Sequence, residues 1–403
     1  MAQIDISKIN EDFYEFIKRN EDSDVSKLRL KKMTDSSFDV ELAITQIECR
    51  KKIKKKLPDF YNTKFLFPSI LSTEQCTCEI VAKFHAEIVG RNSSLLDMTS
   101  GLGIDDYYMS KFSTHITALE LNKDIADISQ FNMASFAQNI TVINCNSEGY
   151  INSNMKAFDA IFIDPARRGD NNCRLFGIKD CEPNIVPLLP KIREHTDVLY
   201  VKASPMIDLT ESLRELQCVT DVWVVSLKNE CKELFFKINF TIEANHPTKI
   251  HCVNFMSEQD KQELCYTYEQ NKRHEINYAD EVKSYLYEPN ASIMKVGAFA
   301  PVAQKFDLDK IADNSHLFTS DTFHSDFPGR AFKVINTYPF KDKILKAALR
   351  DTSRMNVSVR NFKLSAENLK QRLKLKDGGD KYLFGTTLRS EEMVVIVCEK
   401  ANG

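Results

Sequence analysis

The hydrophobic pattern changes period along the chain. Up to about residue 90, apolar residues recur at helical spacing, in Ile9-Phe13-Phe16-Ile17 and again in Ile80-Val81-Phe84-Ile88, which predicts a helical region. Thr73, with Gln75 and Glu79 after it, suits the start of a helix running to Gly90, and Pro58 and Pro68 punctuate the stretch between the helical patterns. From 94 to about 243, short apolar runs alternate with helical patterns. The runs are Leu95–Met98, Ile116–Leu119, Ile140–Ile143, Ala160–Ile163 and Val198–Val201. This alternation predicts a parallel sheet with crossover helices. Two further runs, Val222–Ser226 and Leu234–Phe240, are separated by only about seven residues. That is too short for a helical crossover, so they are expected to pair antiparallel.

Beyond 244 the periodicity weakens. His246 and Pro247 suggest a linker or sheet edge, and a mixture of β and α patterns runs to about 322. The last segment, from 323, reads β-α-β-α-β-β: Ala331–Val334, Asp342–Leu349, Asn356–Val359, Ala366–Leu373, Tyr382–Thr387 and Val394–Cys398, with Gly378-Gly379 as a turn. No internal repeat or low-complexity tract interrupts the chain.

Composition narrows the class without naming a function. The 403 residues are 43% hydrophobic and 28% charged, ordinary for a globular protein and long enough for two to four domains. Eleven cysteines are scattered without a CxxC pair or a Cys/His zinc spacing, so reduced thiols and no metal are expected. The first twenty residues are charged and amphipathic, without the apolar core of a signal peptide. No run approaches the ~20 apolar residues of a membrane span. A soluble, cytoplasmic protein is the expectation.

The densest chemistry lies between Leu95 and Glu120. The strand Leu95-Leu96-Asp97-Met98 runs into Thr99-Ser100-Gly101-Leu102-Gly103, a D-x-[TS]-x-G-x-G turn. Glycines let the backbone turn tightly and approach a ligand closely. A helix N-terminus after them would favour a carboxylate, such as that of S-adenosylmethionine (SAM). Glu120 lies about 20 residues beyond the glycines, where an acid can accept ribose hydroxyls. A dinucleotide would be bound by G-x-G-x-x-G, but the residue three after Gly103 is Asp106. Asp97, Thr99, Gly101, Gly103 and Glu120 are therefore read as a SAM site. Asn146, after the third strand, either holds the adenine amino group or simply forms a turn. Cys145 reads as a small buried filler.

The fourth strand ends Ile163-Asp164-Pro165-Ala166-Arg167-Arg168. Ligands bind at strand C-termini in open α/β sheets, which places Asp164 beside the donated methyl, in contact with cofactor and acceptor alike. Its carboxylate is suited to accept an N–H from a base or to take up a proton. The pattern [DN]-P-P-[YFW] of amino-directed nucleic-acid methyltransferases is absent, because no aromatic follows. The segment looks closer to the D-P-P-R of uridine C5 methyltransferases, but Ala203 stands where their cysteine nucleophile is expected. Direct in-line transfer to nitrogen or oxygen is the simpler expectation. Arg167 and Arg168, and more weakly Arg174, are candidates for substrate phosphate or for salt bridges. Lys202 is placed at the catalytic edge, where a pair with Asp164 is expected to serve either catalysis or structure.

Charge is unevenly distributed. Net charge is −3 overall, yet residues 323–403 carry 16 Lys and Arg against 9 Asp and Glu, a balance of +7 that leaves −10 for the other 322 residues. A basic module on an acidic enzyme suggests a nucleic-acid-positioning domain. The run Arg50-Lys51-Lys52-Ile53-Lys54-Lys55-Lys56 either binds phosphate or is a solvated helix face.

Taken together, the chain resembles a family of bacterial class I SAM-dependent methyltransferases with a C-terminal THUMP-like domain. The resemblance rests on Phe67-Pro68, Thr73-Glu74-Gln75-Cys76, Leu96 to Gly103, Ile163 to Arg168, Lys202 to Asp208, Tyr287 to Gly297 and Leu373 to Thr387. It implies an α/β, Rossmann-like methyltransferase of five parallel strands plus an antiparallel hairpin at 91–243. A helical region at 1–90 would precede it. A ferredoxin-like domain at 244–322 and a THUMP-like domain at 323–403, both α+β, would follow. Domains of the THUMP type imply RNA as the partner. The expected activity is methyl transfer from SAM to a base in RNA. A small-molecule or protein methyltransferase, or a non-catalytic RNA-binding protein on a SAM fold, are the alternatives.

Overall fold

The computed structural model describes residues 4–30, 37–153, 156–167, 177–243, 246–273 and 275–401. The chain divides into two compact units, one of residues 1–220 with 235–246 and one of 221–234 with 247–403.

The first unit begins with six helices: α1 (Glu11–Arg19), α2 (Val25–Leu30), α3 (Val40–Ile53), α4 (Pro58–Tyr61), α5 (Ile70–Gln75) and α6 (Glu79–Val89). Asn10, Asp39 and Ser69 cap α1, α3 and α5 by accepting backbone N–H groups of the first turn. Phe13, Ile17, Leu28, Leu42 and Ile47 form a shared buried cluster. The helix expected from Thr73 to Gly90 is broken. Cys76 is extended at ψ 155°, and Thr77 turns inward before α6 starts. Gly90 ends α6 at φ +68°, as expected of a helix C-terminus.

Extended residues Leu66 and Phe67, both fully buried, are clamped by two amide side chains. Asn132 accepts the Leu66 N–H and donates to its carbonyl (2.9 Å each). Gln46 does the same for Phe67, at 2.9 and 2.7 Å. Buried backbone outside regular structure has to find partners, and these side chains supply them.

The sheet of this unit follows. Its elements are β1 (Asn92–Asp97), α7 (Ile104–Met109), β2 (Ser113–Glu120), α8 (Lys123–Phe136), β3 (Ile140–Asn144), α9 (Ser147–Ser153) and β4 (Ala160–Ile163). After them come β5 (Ala166–Arg167), β6 (Cys181–Glu182), α10 (Leu189–Arg193), β7 (Val198–Ala203) and α11 (Leu209–Leu216). The order β7-β4-β1-β2-β3 is parallel throughout, while β5 and β6 form a separate two-stranded ribbon. Each of the five parallel strands contains one of the predicted apolar runs, apart from Met98, which falls just past β1. A hairpin then forms from β8 (Val219–Leu227) and β9 (Glu230–Asn239) through Lys228 and Asn229, both at positive φ. The second half of β9 lies beside β7 in the first unit.

In the second unit, the outer edge of β8 is not left open. It pairs in parallel with β10 (Lys249–Phe255), which pairs antiparallel with β11 (Lys261–Thr267). Residues 249–267, expected in the ferredoxin-like segment, thus extend the β8 ladder. After α12 (Tyr268–Arg273) come β12 (Tyr285–Pro289), α13 (Ala291–Val296), α14 (Phe299–Phe306), β13 (Asp309–Lys310) and β14 (Phe318–Ser320). The chain closes with β15 (Gly329–Pro339), α15 (Asp342–Ala348), β16 (Asn356–Arg360), α16 (Ala366–Leu373), β17 (Lys381–Thr387) and β18 (Met393–Lys400). The last six have the predicted β-α-β-α-β-β order. They join a sheet ordered β13-β14-β12-β15-β18-β17-β16. Alternation along β18 divides its side chains: Val394 and Ile396 enter one core with Phe332 and Phe384, while Val395 and Val397 enter another with Leu345 and Leu369. Among the described residues, no helix is long and apolar enough to cross a membrane.

The amide clamp is testable. Asn132→Ala leaves two buried backbone groups of Leu66 without partners and is expected to cost about 2–4 kcal/mol in urea unfolding. Unchanged stability would show that the segment finds other partners.

Candidate functional site

The glycine turn is fixed by short polar contacts. Leu95 and Leu96 are fully buried, and Asp97 at the end of β1 is 1% exposed. Asp97 Oδ1 accepts the Thr99 N–H (2.7 Å), and Thr99 Oγ1 accepts the Asp164 N–H (2.7 Å), tying the end of β1 to the end of β4. Gly101 lies at φ +57° and its N–H donates to Glu120 Oε2 (3.0 Å). The second Glu120 oxygen accepts the Asn122 N–H (2.6 Å). A Cβ on Gly101 would meet no protein atom within 4 Å, so open space fronts this backbone. Gly103, at φ +71°, differs: a Cβ there would sit 2.8 Å from Met133 Cε. Gly103 therefore serves the turn and the packing of α8, and it does not line the cavity described next.

A cavity of about 510 Å³ opens where β1 to β4 end, within the range of small-ligand sites. It brings together Asp97, Thr99, Gly101, Glu120, Asn146 and Asp164. Asn146 Oδ1 also accepts the Gly149 N–H (2.9 Å) and so forms a turn at the start of α9; it meets the turn reading while lining the cavity. The sequence reading missed Asp105, Glu148 and Glu182 on the walls, as well as Ser72, Cys76 and Thr77 from the helical region. The stretch Thr73-Glu74-Gln75-Cys76 suits a helix start and carries part of the family resemblance, but its spacing shows no chemistry by itself.

The lining is electrostatically one-sided. Six carboxylates face the cavity, namely Asp97, Asp105, Glu120, Glu148, Asp164 and Glu182, and among the described residues no Lys, Arg or His lines it. Two of the six, Asp105 and Asp164, meet the Lys202 ammonium behind this wall. The first turn of α7 already carries Asp105 and Asp106, so this helix end does not offer the vacant positive pole expected for a ligand carboxylate.

The buried acids are handled in two ways. Asp97 and Asp106 lie against each other, and Ser100 Oγ donates to Asp106 (2.6 Å). Burial, offset in part by Ser100, pushes Asp106 up to about 7; burial and the Asp106 charge hold Asp97 well above the usual carboxylate range. Asp105 moves the other way. Burial alone would raise it, but Lys202 and His85 hold it well below its ordinary value. Lys202 Nζ reaches Asp164 Oδ2 at 2.5 Å, giving the pair expected from the sequence, and approaches Asp105 Oδ2 at 3.5 Å.

The remaining expected contacts divide clearly. Arg167 is placed in β5. Arg168 and Arg174 lie outside the described residues. Of the basic run, Arg50 donates to the carbonyls of Tyr61 and Thr63, Lys51 to that of Ser23, and Lys56 to those of Thr73 and Glu74; Lys52 pairs with Glu74. Those four groups hold the helical region together, which favours the structural reading over a phosphate patch. Among the described residues, no group of three His, Cys, Asp or Glu is arranged to hold a metal ion.

Residues 285–328 match a ferredoxin-like domain family and residues 329–400 a THUMP domain-like family. A solved protein from Porphyromonas gingivalis W83, described as a candidate methyltransferase, is similar over 100% of both chains at 29% identity and a TM-score of 0.91. A Mycoplasma mobile protein named as an uncharacterized RNA methyltransferase is 28% identical over 164 residues, which is 40% of this chain and 42% of that one.

The shared carboxyl proton sets a pH dependence. The Asp106 carboxyl holds its proton up to about pH 7 in the folded chain but only to about its ordinary 3.8 when unfolded. The folded state therefore binds more protons between these limits, and this contribution to stability is full below 3.8 and is lost as pH rises through 7. Asp106→Asn is expected to flatten the fall in stability between pH 5 and pH 8 by about 2 kcal/mol in urea titrations. An identical slope in the variant would show that the pair shares no proton.

Proposed function

We propose that this chain, a class I methyltransferase by fold with ferredoxin-like and THUMP-like domains at its C-terminal end, transfers a methyl group from SAM to a base in RNA. The observation that carries the cofactor choice is the glycine turn at the end of β1, where open space fronts Gly101 in a cavity whose described walls carry carboxylates. SAM has a sulfonium and an ammonium against one carboxylate, so it is a net cation, and it supplies the electrophilic methyl.

The residues present fit that group. Open space fronts Gly101, so a ligand can approach the backbone there. Asp97 and Glu120 would hold the polar ends of the cofactor, with Thr99 and Gly101 shaping the turn and Asn146 at the adenine end. Asp164, at the end of β4 and with a side chain 39% exposed, would receive an N–H from the incoming base. Direct transfer without a covalent intermediate suits the thiols at hand. Ala203 is buried and offers none. Cys76 and Cys145 line the cavity, but burial raises both thiols and so disfavours the thiolate.

RNA as the acceptor is supported by the THUMP-like match, by the name of the Mycoplasma relative and by the basic segment. Lys341, Lys343 and Lys346 stand exposed on and beside α15 with no ion pair among the described residues. They are suited to phosphate. The proposed division of labour keeps methyl transfer within 91–243 and RNA positioning within 323–403.

Labelling with tritiated SAM of RNA from cells lacking this gene, followed by nucleoside mass spectrometry, tests the proposal. Wild type is expected to label RNA and Gly101→Arg to label none. Asp164→Ala is expected to lose about 10²-fold or more in rate while S-adenosylhomocysteine binding by calorimetry changes less than threefold. Label confined to protein or metabolites would overturn the RNA assignment.

Replacing Lys341, Lys343 and Lys346 by Glu is expected to weaken RNA binding and to reduce the slope of log affinity against log salt by about two. An unchanged slope would remove this helix from the RNA contact.

A further inference from the structure

The Lys202 ammonium reaches acceptors on Thr77, Asp164 and Asp105. It donates to Thr77 Oγ1 at 2.8 Å, lies 2.5 Å from Asp164 Oδ2 and 3.5 Å from Asp105 Oδ2. Thr77 Oγ1 in turn donates to Asp105 Oδ2 at 2.5 Å. Behind Asp105, the fully buried His85 places Nδ1 2.8 Å from Oδ1. These groups come from five places in the chain: the turn before α6, α6 itself, the first turn of α7, the end of β4 and β7.

Donor chemistry fixes the direction of each bond. Carboxylates only accept, so His85 carries its proton on Nδ1 and the single Thr77 hydroxyl proton points to Asp105. A hydroxyl that donates to Asp105 still has a lone pair for the Lys202 ammonium. An ammonium flanked by two carboxylates and a hydroxyl oxygen is stabilised in its charged form. An ammonium held this way is not placed to take a proton from a substrate, and its contact with Asp164 is the pairing expected at the catalytic edge. What it does instead is occupy one oxygen of Asp164. The Asp164 side chain is 39% exposed, against 12% for Lys202 and for Asp105, so the inner end of the network is closed while the carboxylate that ends it faces the cavity.

We propose that Asp105 and Thr77, with His85 behind them, are positioning residues that hold the Lys202 ammonium against Asp164 and so orient the carboxylate offered to the methyl acceptor. This rests on the methyltransferase reading for its consequence in turnover, but not for the existence of the network. A helical segment outside the strands would then set the geometry of the reacting edge through Thr77 and His85.

The test separates the two. The Lys202 ammonium resonance is read by lysine-selective 15N NMR of the full chain and assigned by its loss in Lys202→Met. It is expected to shift or vanish in Thr77→Val and in Asp105→Asn and to be retained in Thr77→Ser. An unaltered resonance in both variants overturns the network whether or not methyl transfer occurs. In the RNA-labelling assay, Thr77→Val and Asp105→Asn are expected to lower kcat 10- to 100-fold, with KM for RNA and calorimetric affinity for S-adenosylhomocysteine changed less than threefold. Thr77→Ser is expected to restore kcat to within threefold of wild type. Affinity and kcat falling together would show a merely structural role and overturn the positioning assignment, as would an unaffected kcat. Wild-type protein that labels no RNA would sink the proposed function and leave the network to be judged by the NMR arm.

Discussion

Crowding of carboxylates at one end of the central sheet is the constraint on which the rest of the first unit depends. Asp97, Asp105, Asp106 and Asp164 gather where β1 and β4 end and α7 begins. Buried like charges cannot all ionise at neutral pH without a cation or a proton between them. The chain uses both. Asp97 and Asp106 both hold protons well above the ordinary carboxylate range, and Asp105 and Asp164 share Lys202. This dictates what the neighbouring elements deliver. β7 has to bring a lysine to its C-terminal end, and the turn before α6 has to bring a hydroxyl. Ser100 and Thr99 supply the hydroxyls of the loop itself.

The same constraint explains why the helical region belongs with the sheet. Helices α1 to α3 share a core of their own, and Ile128 of α8 enters that cluster. Asn132, one turn further along α8, clamps the strand-like segment before α5. Position then propagates through α5 to Cys76 and Thr77 on the cavity wall. Four groups of the basic stretch, read either as a phosphate contact or as a solvated helix face, bond within this framework. Charge and periodicity alone cannot show that an ammonium folds back onto carbonyl groups of its own chain.

Legibility followed the locality of the signal. The five parallel strands could be read because each is a short, branched, buried run, and burial on both faces removes the need for alternation. Asp97, Gly101, Glu120 and Asp164 could be read because they sit at fixed places relative to those runs. Gly103 was read for both the tight turn and the ligand approach; its φ of +71° fits the turn, and the closeness of Met133 adds a packing role that no local pattern encodes. Strands β10 and β11 were not legible, since pairing with β8 depends on an open edge that no local pattern encodes. Thr77, His85 and Asp105 were missed for a related reason. Asp106 was weighed only as a departure from a dinucleotide turn, and Asp105 was given no role. Thr77 and His85 acquire meaning only when strands far apart in sequence bring Lys202 and Asp164 to them.

On the proposed function, the charge division of the chain follows from the site. A cavity walled by carboxylates gathers a cationic cofactor and repels the phosphates of an RNA acceptor. At physiological salt that repulsion is confined to about 8 Å. A neutral base can therefore enter only if its own backbone is held beyond that distance by positive charge elsewhere on the same chain. The balance of +7 over residues 323–403, against −10 over the rest, is the arrangement this requires. An evenly charged chain would bind either the cofactor or the RNA less well, because the two ligands make opposite electrostatic demands. Separating the demands along the sequence lets each segment satisfy one of them without weakening the other.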